Sequence, residues 1–188
     1  DAVFEMALEL RARCINLVEP FGVPVGVDEG AACFARVCDR ARPLGLVVLL
    51  EAMPFSGIPT LAHAWSIVQR ADRPNAALTV DLWHVLRGGV DPLLLSQIPG
   101  DRVGTVQIAD GAADPGEDLL ADLYRRLLPG DGALPLRPLL EGLHRMDALT
   151  NVGVEVFGPA LSSLSPEEIG RRSRRALELA LQGLGRSG

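Results

Sequence analysis

The chain has 188 residues, of which 48% are hydrophobic and 22% charged, so it can form one globular domain with a sizeable core. Its formal net charge is −6 and it has no basic stripe, which argues against nucleic acid as a partner. All 18 basic residues are arginines, which excludes Schiff-base lysine chemistry, pyridoxal-phosphate chemistry and a Walker-type phosphate loop from this chain. No apolar run is long enough to predict a membrane span.

The cysteines, Cys14, Cys33 and Cys38, are odd in number and lack the spacing of a CxxC motif. Each lies in an apolar or helical context, so we expect them to be small, buried hydrophobic residues. Cysteines of this kind favour a reducing compartment, and we predict a cytoplasmic protein.

Short apolar runs alternate along the chain with segments of helical periodicity. The apolar runs predict buried strands over residues 15–18, 46–50, 76–80, 103–109 and 151–157. The periodic segments predict helices over residues 2–13, 28–41, 61–71, 91–100, 117–127, 136–146 and 166–181, with Asp28, Thr60 and Ser165 as caps. Strands that alternate with helices are typical of βα units around a parallel sheet, so we predict an α/β fold in a single domain over residues 1–188.

Polar side chains stand at or near the carboxyl ends of four successive predicted strands. They are Glu51, Asp81, Gln107 and Glu155. Because the carboxyl ends of parallel strands meet at one edge of a sheet, these side chains should converge on one place. Carboxylates gathered in a low-dielectric pocket repel one another, and a divalent cation that prefers oxygen ligands, Mg²⁺ or Mn²⁺, relieves that repulsion. The sequence therefore predicts a metal site at this edge.

Each of these residues also has a purely structural interpretation. A lone Glu51 or Glu155 can pair with an arginine at the strand rim, and Asp81 can cap the turn that follows it. Gln107 can be a hydrogen-bonded core amide, and His84, three residues after Asp81, can be a satisfied core or surface histidine. The convergence of all four strand ends is what favours a metal site over these alternatives.

In their order and spacing, the motifs around these residues resemble the sugar-phosphate isomerase/epimerase family, the xylose isomerase-like TIM barrels. The matching segments are residues 49–54, 78–84, 106–110, 127–136 and 152–157, and the resemblance extends from about residue 15 onward. It implies an eight-stranded (β/α)8 TIM barrel with a metal site on four successive late strands. It also implies catalytic roles for Glu51 and Glu155, which would flank the reacting carbon of the substrate and exchange a proton with it.

The resemblance assigns further roles residue by residue. The implied metal ligands are Glu51, Asp81, Gln107 and Glu155. The implied substrate-binding residues are His84, Asp110, Arg125 and Arg126. The two arginines come shortly before a Pro-Gly-x-Gly turn at residues 129–132.

Two features depart from the family pattern. Gln107 stands where a metal-binding histidine is usual, and a neutral amide oxygen is the weaker ligand. The chain also shows five predicted strands, whereas a complete barrel has eight and needs about 250 residues. We therefore expect a partial barrel of about five βα units, a fragment without its N-terminal third. Its unpaired sheet edges favour association with another chain, for example as a homo-oligomer.

The resemblance supports three functional hypotheses. The first is a divalent-metal-dependent isomerase or epimerase that acts on a sugar, keto-sugar or cyclic polyol by removing a proton beside a carbonyl. The second keeps the site but makes the enzyme a dehydratase, with His84 as the general acid that expels a hydroxyl group. The third is a degenerate, non-catalytic barrel that binds a ligand, which Gln107 and the missing strands favour.

Overall fold

The computed structural model of the protein describes residues 2–89 and 92–184. Within these ranges the chain forms a parallel sheet whose strands follow the order β1-β2-β3-β4-β5. The strands are β1 (Cys14–Leu17), β2 (Val47–Glu51), β3 (Ala76–Asp81), β4 (Val103–Ile108) and β5 (Val152–Val154). A parallel sheet in which strands adjacent in sequence are adjacent in space is the arrangement of a TIM barrel, so the predicted partial barrel is confirmed.

Helices connect the strands and pack against the sheet. They are α1 (Ala2–Glu9), α2 (Val27–Ala41), α3 (Leu61–Ala71), α4 (Leu82–Arg87), α5 (Pro92–Gln97), α6 (Leu119–Leu123), α7 (Leu136–Arg145), α8 (Pro159–Ser162) and α9 (Pro166–Leu181). The Thr60 hydroxyl accepts a hydrogen bond from the backbone NH of His63 at the start of α3, and Ser165 accepts one from Glu168 in α9. Both predicted caps are confirmed.

The strand β3 shows how the sheet separates its core from its polar face. All of its positions are buried, which is typical of a strand covered on both faces. Leu78 and Val80 belong to the hydrophobic core. Thr79 and Asp81 point to the opposite face, because successive side chains of a strand alternate. The polar groups of β3 are therefore gathered on one face of the sheet.

A β-bulge at Gly104 sets the pairing of β3 with β4. Leu78 pairs with Val103, but Asp81 pairs with Gln107, so the register shifts by one residue between them. A one-residue shift moves a side chain to the other face of a sheet. The bulge therefore brings Gln107 to the face that carries Asp81. Glycine suits the position, because a Cβ atom on Gly104 would lie 2.3 Å from Leu49 Cδ2.

Several predicted boundaries are wrong for identifiable reasons. The helix α2 begins at Val27 after Gly26, so Asp28 lies in its first turn and is not its cap. The helix predicted over 117–127 shrinks to α6, because Leu127 pairs with Asp110 in an antiparallel bridge that requires extended backbone. The fifth strand ends at Val154, three residues earlier than predicted. Asp91, the predicted start of α5, lies outside the described residues.

The cysteines differ in burial. Cys38 is buried and Cys14 is partly buried, but Cys33 is exposed, so the prediction of burial is wrong for Cys33. The cause is helix geometry, since α2 turns Ala31, Phe34 and Cys38 toward the core and leaves Cys33 beside that stripe. None of the helices in the described ranges is long and apolar enough to cross a membrane.

Candidate active site

The structure brings the four predicted strand-end residues to one end of the sheet. Glu51 and Asp81 are the last residues of β2 and β3, and both are buried. Gln107 lies beside Asp81 in the parallel register. Its amide Nε2 donates a hydrogen bond of 3.0 Å to Oε1 of Glu155, which directly follows β5. His84, in the first turn of α4, joins them, because its backbone NH donates to Asp81 Oδ1 over 2.9 Å.

A buried arginine lies between two of these acids. The Arg126 side chain has no exposed surface, and its Nη1 lies 2.9 Å from Asp81 Oδ2 and 3.0 Å from Glu155 Oε2. The same nitrogen donates to the backbone carbonyl of Glu155 over 3.3 Å. A guanidinium presents its donors in a rigid plane, so Arg126 fixes the spacing between the carboxylates of Asp81 and Glu155.

Backbone pairing and an aromatic ring hold Arg126 in place. Its neighbour Leu127 exchanges backbone hydrogen bonds of 2.9 and 2.8 Å with Asp110, just beyond β4. The guanidinium carbon of Arg126 lies 4.6 Å from the centre of the Trp83 ring, which is a cation–π contact. Trp83 is itself fully buried in α4. The arginine is therefore positioned from both its backbone and its charged end.

The chemistry of Arg126 determines the tautomer of His84. Arg126 Nη2 lies 3.0 Å from His84 Nε2. Because a guanidinium can only donate, Nε2 must accept, and the proton of the neutral ring lies on Nδ1. Burial, together with the positive charge of Arg126, lowers the pKa of His84 to about 3. In this arrangement Nε2 carries no proton, so His84 does not fit the role of a general acid.

Glu51 combines burial with crowding by other acids. Its pKa is raised to about 7, chiefly by burial; a hydrogen bond from Asn16 opposes the rise, and the charges of Asp81 and Glu155 add to it. Its Oε2 accepts from Asn16 Nδ2 over 2.5 Å, and its Oε1 lies 3.7 Å from His84 Nε2. Burial and the neighbouring Asp81 also raise the pKa of Glu155. A carboxyl group that titrates near neutral pH can both accept and return a proton at physiological pH.

The raised pKa of Glu51 predicts a pH-dependent stability difference between the wild type and Glu51→Gln. Between pH 4.5 and about 7, native Glu51 keeps a proton that the unfolded chain has released, so the wild type loses stability as the pH rises. Relative to the glutamine variant, this loss should reach about 3 kcal/mol. Urea unfolding across this range, with a chelator present, measures the difference. A difference that does not change with pH would contradict the buried, proton-retaining state of Glu51.

Two of the predicted substrate-binding residues, Asp110 and Arg125, form hydrogen bonds with the backbone of neighbouring loops. The buried Asp110 carboxylate accepts hydrogen bonds from three backbone NH groups, those of Gly111, Gly130 and Leu134. It thereby holds the turn at residues 129–132 against the end of β4. The Arg125 side chain is 59% exposed and donates to the carbonyl of Pro115. Of the four predicted substrate-binding residues, it is His84 and Arg126 that lie among the strand-end acids.

Three residues of the site were missed from the sequence: Asn16, Thr79 and Trp83. Asn16 donates to Glu51, and its Oδ1 accepts a hydrogen bond of 2.9 Å from the Thr79 hydroxyl. The available signal was a polar residue inside an apolar strand run, which applies to both Asn16 and Thr79. No sequence signal pointed to Trp83, whose role depends on a contact with a distant arginine.

The donors at this site fit a divalent cation. Ligand atoms of Glu51, Asp81 and His84 all lie within 4.8 Å of one another. Because His84 Nε2 already accepts from Arg126, the carboxylate oxygens of Glu51 and Asp81 are the ligands of this group that a cation would use. With Glu155 and Arg126 included, three carboxylates and one guanidinium leave a formal charge of −2 when all are ionised. The buried Oε1 of Gln107 has no hydrogen-bond partner among the described residues, and an amide oxygen is a ligand for hard cations.

Comparison with known proteins identifies the family. The sequence model of the family described as "xylose isomerase-like TIM barrel" matches residues 1–180 of this chain. The chain belongs to the xylose isomerase-like TIM barrel family. Among solved structures, the IOLI protein with a bound zinc atom superposes with a TM-score of 0.88 at 23% identity, over 97% of this chain and 68% of that one. This family membership confirms the resemblance drawn from the strand-end motifs.

Curated relatives of the chain include dehydratases and isomerases. The 3-dehydroshikimate dehydratase of Pseudomonas aeruginosa is 27% identical over 159 residues, which cover 84% of this chain and 25% of the relative. The inosose isomerase of Bacillus subtilis is 30% identical over 135 residues, which cover 71% of this chain and 48% of the relative. The chain thus spans between a quarter and about half of the length of these relatives.

Proposed function

We propose that the chain carries the active site of a divalent-metal-dependent isomerase or epimerase that acts on a sugar, keto-sugar or cyclic polyol. The observation that carries the proposal is that two glutamates, Glu51 and Glu155, lie with Asp81 at one end of the sheet beside donors that fit a divalent cation. The similarity to an inosose isomerase supports a polyol ketone as the class of substrate.

The residues that would hold the ion are Glu51, Asp81, Gln107 and Glu155, and their oxygen donors favour Mn²⁺ or Mg²⁺. When bound, the cation polarises the substrate carbonyl and stabilises negative charge on its oxygen. One glutamate removes the proton beside that carbonyl, and the other returns it on the opposite face of the substrate. Arg126 keeps Asp81 and Glu155 at a fixed spacing and so preserves the geometry of the proton exchange.

A dehydratase is the second candidate, because a 3-dehydroshikimate dehydratase matches 84% of this chain. It would use the same cation and a glutamate base, but it also needs a general acid to expel a hydroxyl group. His84 Nε2 accepts from Arg126 and has no proton to donate, so His84 is a poor acid in this arrangement. A dehydratase of this site would therefore take its general acid from Glu51 or Glu155, whose pKa values are raised.

Deuterium exchange distinguishes these candidates. The purified protein would be incubated in D₂O with Mn²⁺ and an inosose, and the substrate followed by NMR. We expect deuterium at the carbon beside the carbonyl together with an isomeric product, and no reaction after addition of a chelator. An unsaturated product, from the inosose or from 3-dehydroshikimate, would favour the dehydratase. Binding of Mn²⁺ without either reaction would favour a non-catalytic barrel.

Three further predictions concern the cellular compartment, the kind of ligand and the self-association of the protein. The cysteines Cys14, Cys33 and Cys38 are free, which agrees with a reducing compartment such as the cytoplasm. The net charge of −6 agrees with a small-molecule ligand in preference to nucleic acid. Self-association of the protein into a homo-oligomer is a further prediction that size measurement in solution would test.

A further inference from the structure

A chain of hydrogen bonds crosses three strands and ends on Glu51. The buried Thr79 hydroxyl of β3 donates to Asn16 Oδ1 of β1 over 2.9 Å, and Asn16 Nδ2 donates to Glu51 Oε2 of β2 over 2.5 Å. Thr79 is the register partner of Glu51, so the two side chains stand side by side on the same face of the sheet. Asn16 thus reaches two side chains on two different strands.

The two bonds fix the orientation of the Asn16 amide. An ionised Glu51 can only accept, so the amide must turn its NH₂ group toward that carboxylate. Its oxygen is then directed to Thr79, whose hydroxyl hydrogen can rotate to meet it. The opposite orientation would place the amide oxygen against the carboxylate. The hydrogen bonds to Thr79 and to Glu51 therefore both require the same orientation of the Asn16 amide group.

This arrangement determines which oxygen of Glu51 is available to a ligand. Oε2 is held by Asn16, whereas Oε1 lies on the side of His84, 3.7 Å from its Nε2. Oε1 is therefore the oxygen that faces His84, which forms a group of possible ligands with Glu51 and Asp81. Asn16 acts on this cluster only through Glu51, and Thr79 acts one step further away.

The chemistry of Thr79 gives an independent reason to look for such a role. Thr79 is 3% exposed and lies on the face of β3 opposite to the core residues Leu78 and Val80. A hydroxyl in such an environment costs free energy unless it is hydrogen-bonded, and valine has almost the same shape without that cost. The hydrogen bond to Asn16 supplies the partner, so the hydroxyl connects the interior of β3 to the carboxylate of β2.

We propose that Asn16 and Thr79 are positioning residues. They hold the Glu51 side chain so that one of its carboxylate oxygens faces the proposed metal site. The proposal rests on the metal site described under the proposed function. Groups that orient a metal ligand by hydrogen bonding to it, without touching the metal, typically contribute about 10- to 100-fold to metal affinity. Neither residue has to touch the cation or the substrate for this effect.

The test compares Mn²⁺ affinities measured by calorimetry at one pH for the wild type, Thr79→Val, Thr79→Ser and Asn16→Leu. We expect Mn²⁺ affinity to fall about 10- to 100-fold in Thr79→Val and Asn16→Leu, and to stay within about threefold of the wild type in Thr79→Ser, which keeps the hydroxyl. Thr105→Val is the matched control. Thr105 is the register partner of Thr79 on β4, but its hydroxyl accepts from Asn151 and not from Asn16.

Each outcome has a separate meaning. Loss of affinity in Thr79→Val with recovery in Thr79→Ser supports the positioning role, because a general loss of packing would affect both variants. Equal affinities for the wild type, Thr79→Val and Asn16→Leu would overturn the positioning role and leave the metal site standing. An equal loss in Thr105→Val would also overturn it. If the wild type binds no Mn²⁺, the metal site fails, and the positioning role fails with it.

Discussion

Replacing Arg126 with methionine is expected to lower the free energy of unfolding by about 3–5 kcal/mol. The variant keeps the apolar stem of the side chain but removes the charge that lies 2.9 Å from Asp81 and 3.0 Å from Glu155. Two carboxylates then face each other without a counter-ion, and His84 Nε2 loses its donor. Denaturant unfolding at neutral pH, with a chelator present, measures this loss.

Arg125→Met is the matched control, because it makes the same change at the neighbouring residue. The Arg125 side chain is 59% exposed, and its ion pair with Asp122 spans 3.6 Å. Asp122 is buried, but it keeps its ion pair of 2.9 Å with Arg87 when Arg125 is replaced, so the control should lose only about 0–1 kcal/mol. Losses of equal size in the two variants would contradict the central position that the structure gives to Arg126.

Replacing Glu155 with glutamine is expected to lower turnover about 100- to 10,000-fold on a substrate of the proposed class, because an amide cannot exchange a proton as a general base does. The change preserves the shape of the side chain, and the amide oxygen can still accept from Gln107 Nε2. It also weakens the contact with Arg126, so unfolding should be measured in parallel. Mn²⁺ binding by the variant separates the loss of a base from the loss of a ligand.

Glu141→Gln is the control for this experiment. Glu141 lies in α7, where it forms a half-exposed pair of 2.8 Å with Arg137. The same chemical change there should leave turnover at the wild-type level. Full turnover in Glu155→Gln would remove Glu155 from the catalytic pair.

The sheet and the strand-end acids could be predicted because their signals are local. An apolar run followed by Glu51 or Asp81 is visible within a few residues, and parallel strands necessarily bring such positions together. Thr60 and Ser165 could be placed as caps for the same reason. The same argument placed Gln107 and Glu155, near the ends of the next two predicted strands, at the same end of the sheet, where their side chains are hydrogen-bonded.

The contacts that organise the site could not be predicted because they join distant parts of the chain. Of the two predicted arginines, it is Arg126 and not Arg125 that lies among the strand-end acids. This depends on the backbone bridge between Leu127 and Asp110, which no helical or strand periodicity indicates. The alignment of Gln107 with Asp81 depends on a one-residue bulge in β4. The role of Asn16 depends on side chains from two other strands, so its polarity was visible in the sequence but its purpose was not.

The environment of Trp83 makes it a natural optical reporter of the site. It is one of two tryptophans, and its ring lies 4.6 Å from the guanidinium carbon of Arg126 and 5.7 Å from that of Arg87. Solvent does not reach the ring, so we expect these fixed charges to set the wavelength of its fluorescence emission. A ligand that draws Asp81 or Glu155 away from Arg126 changes the electric field at this indole. We therefore expect the emission of Trp83 to report occupancy of the site without an added label.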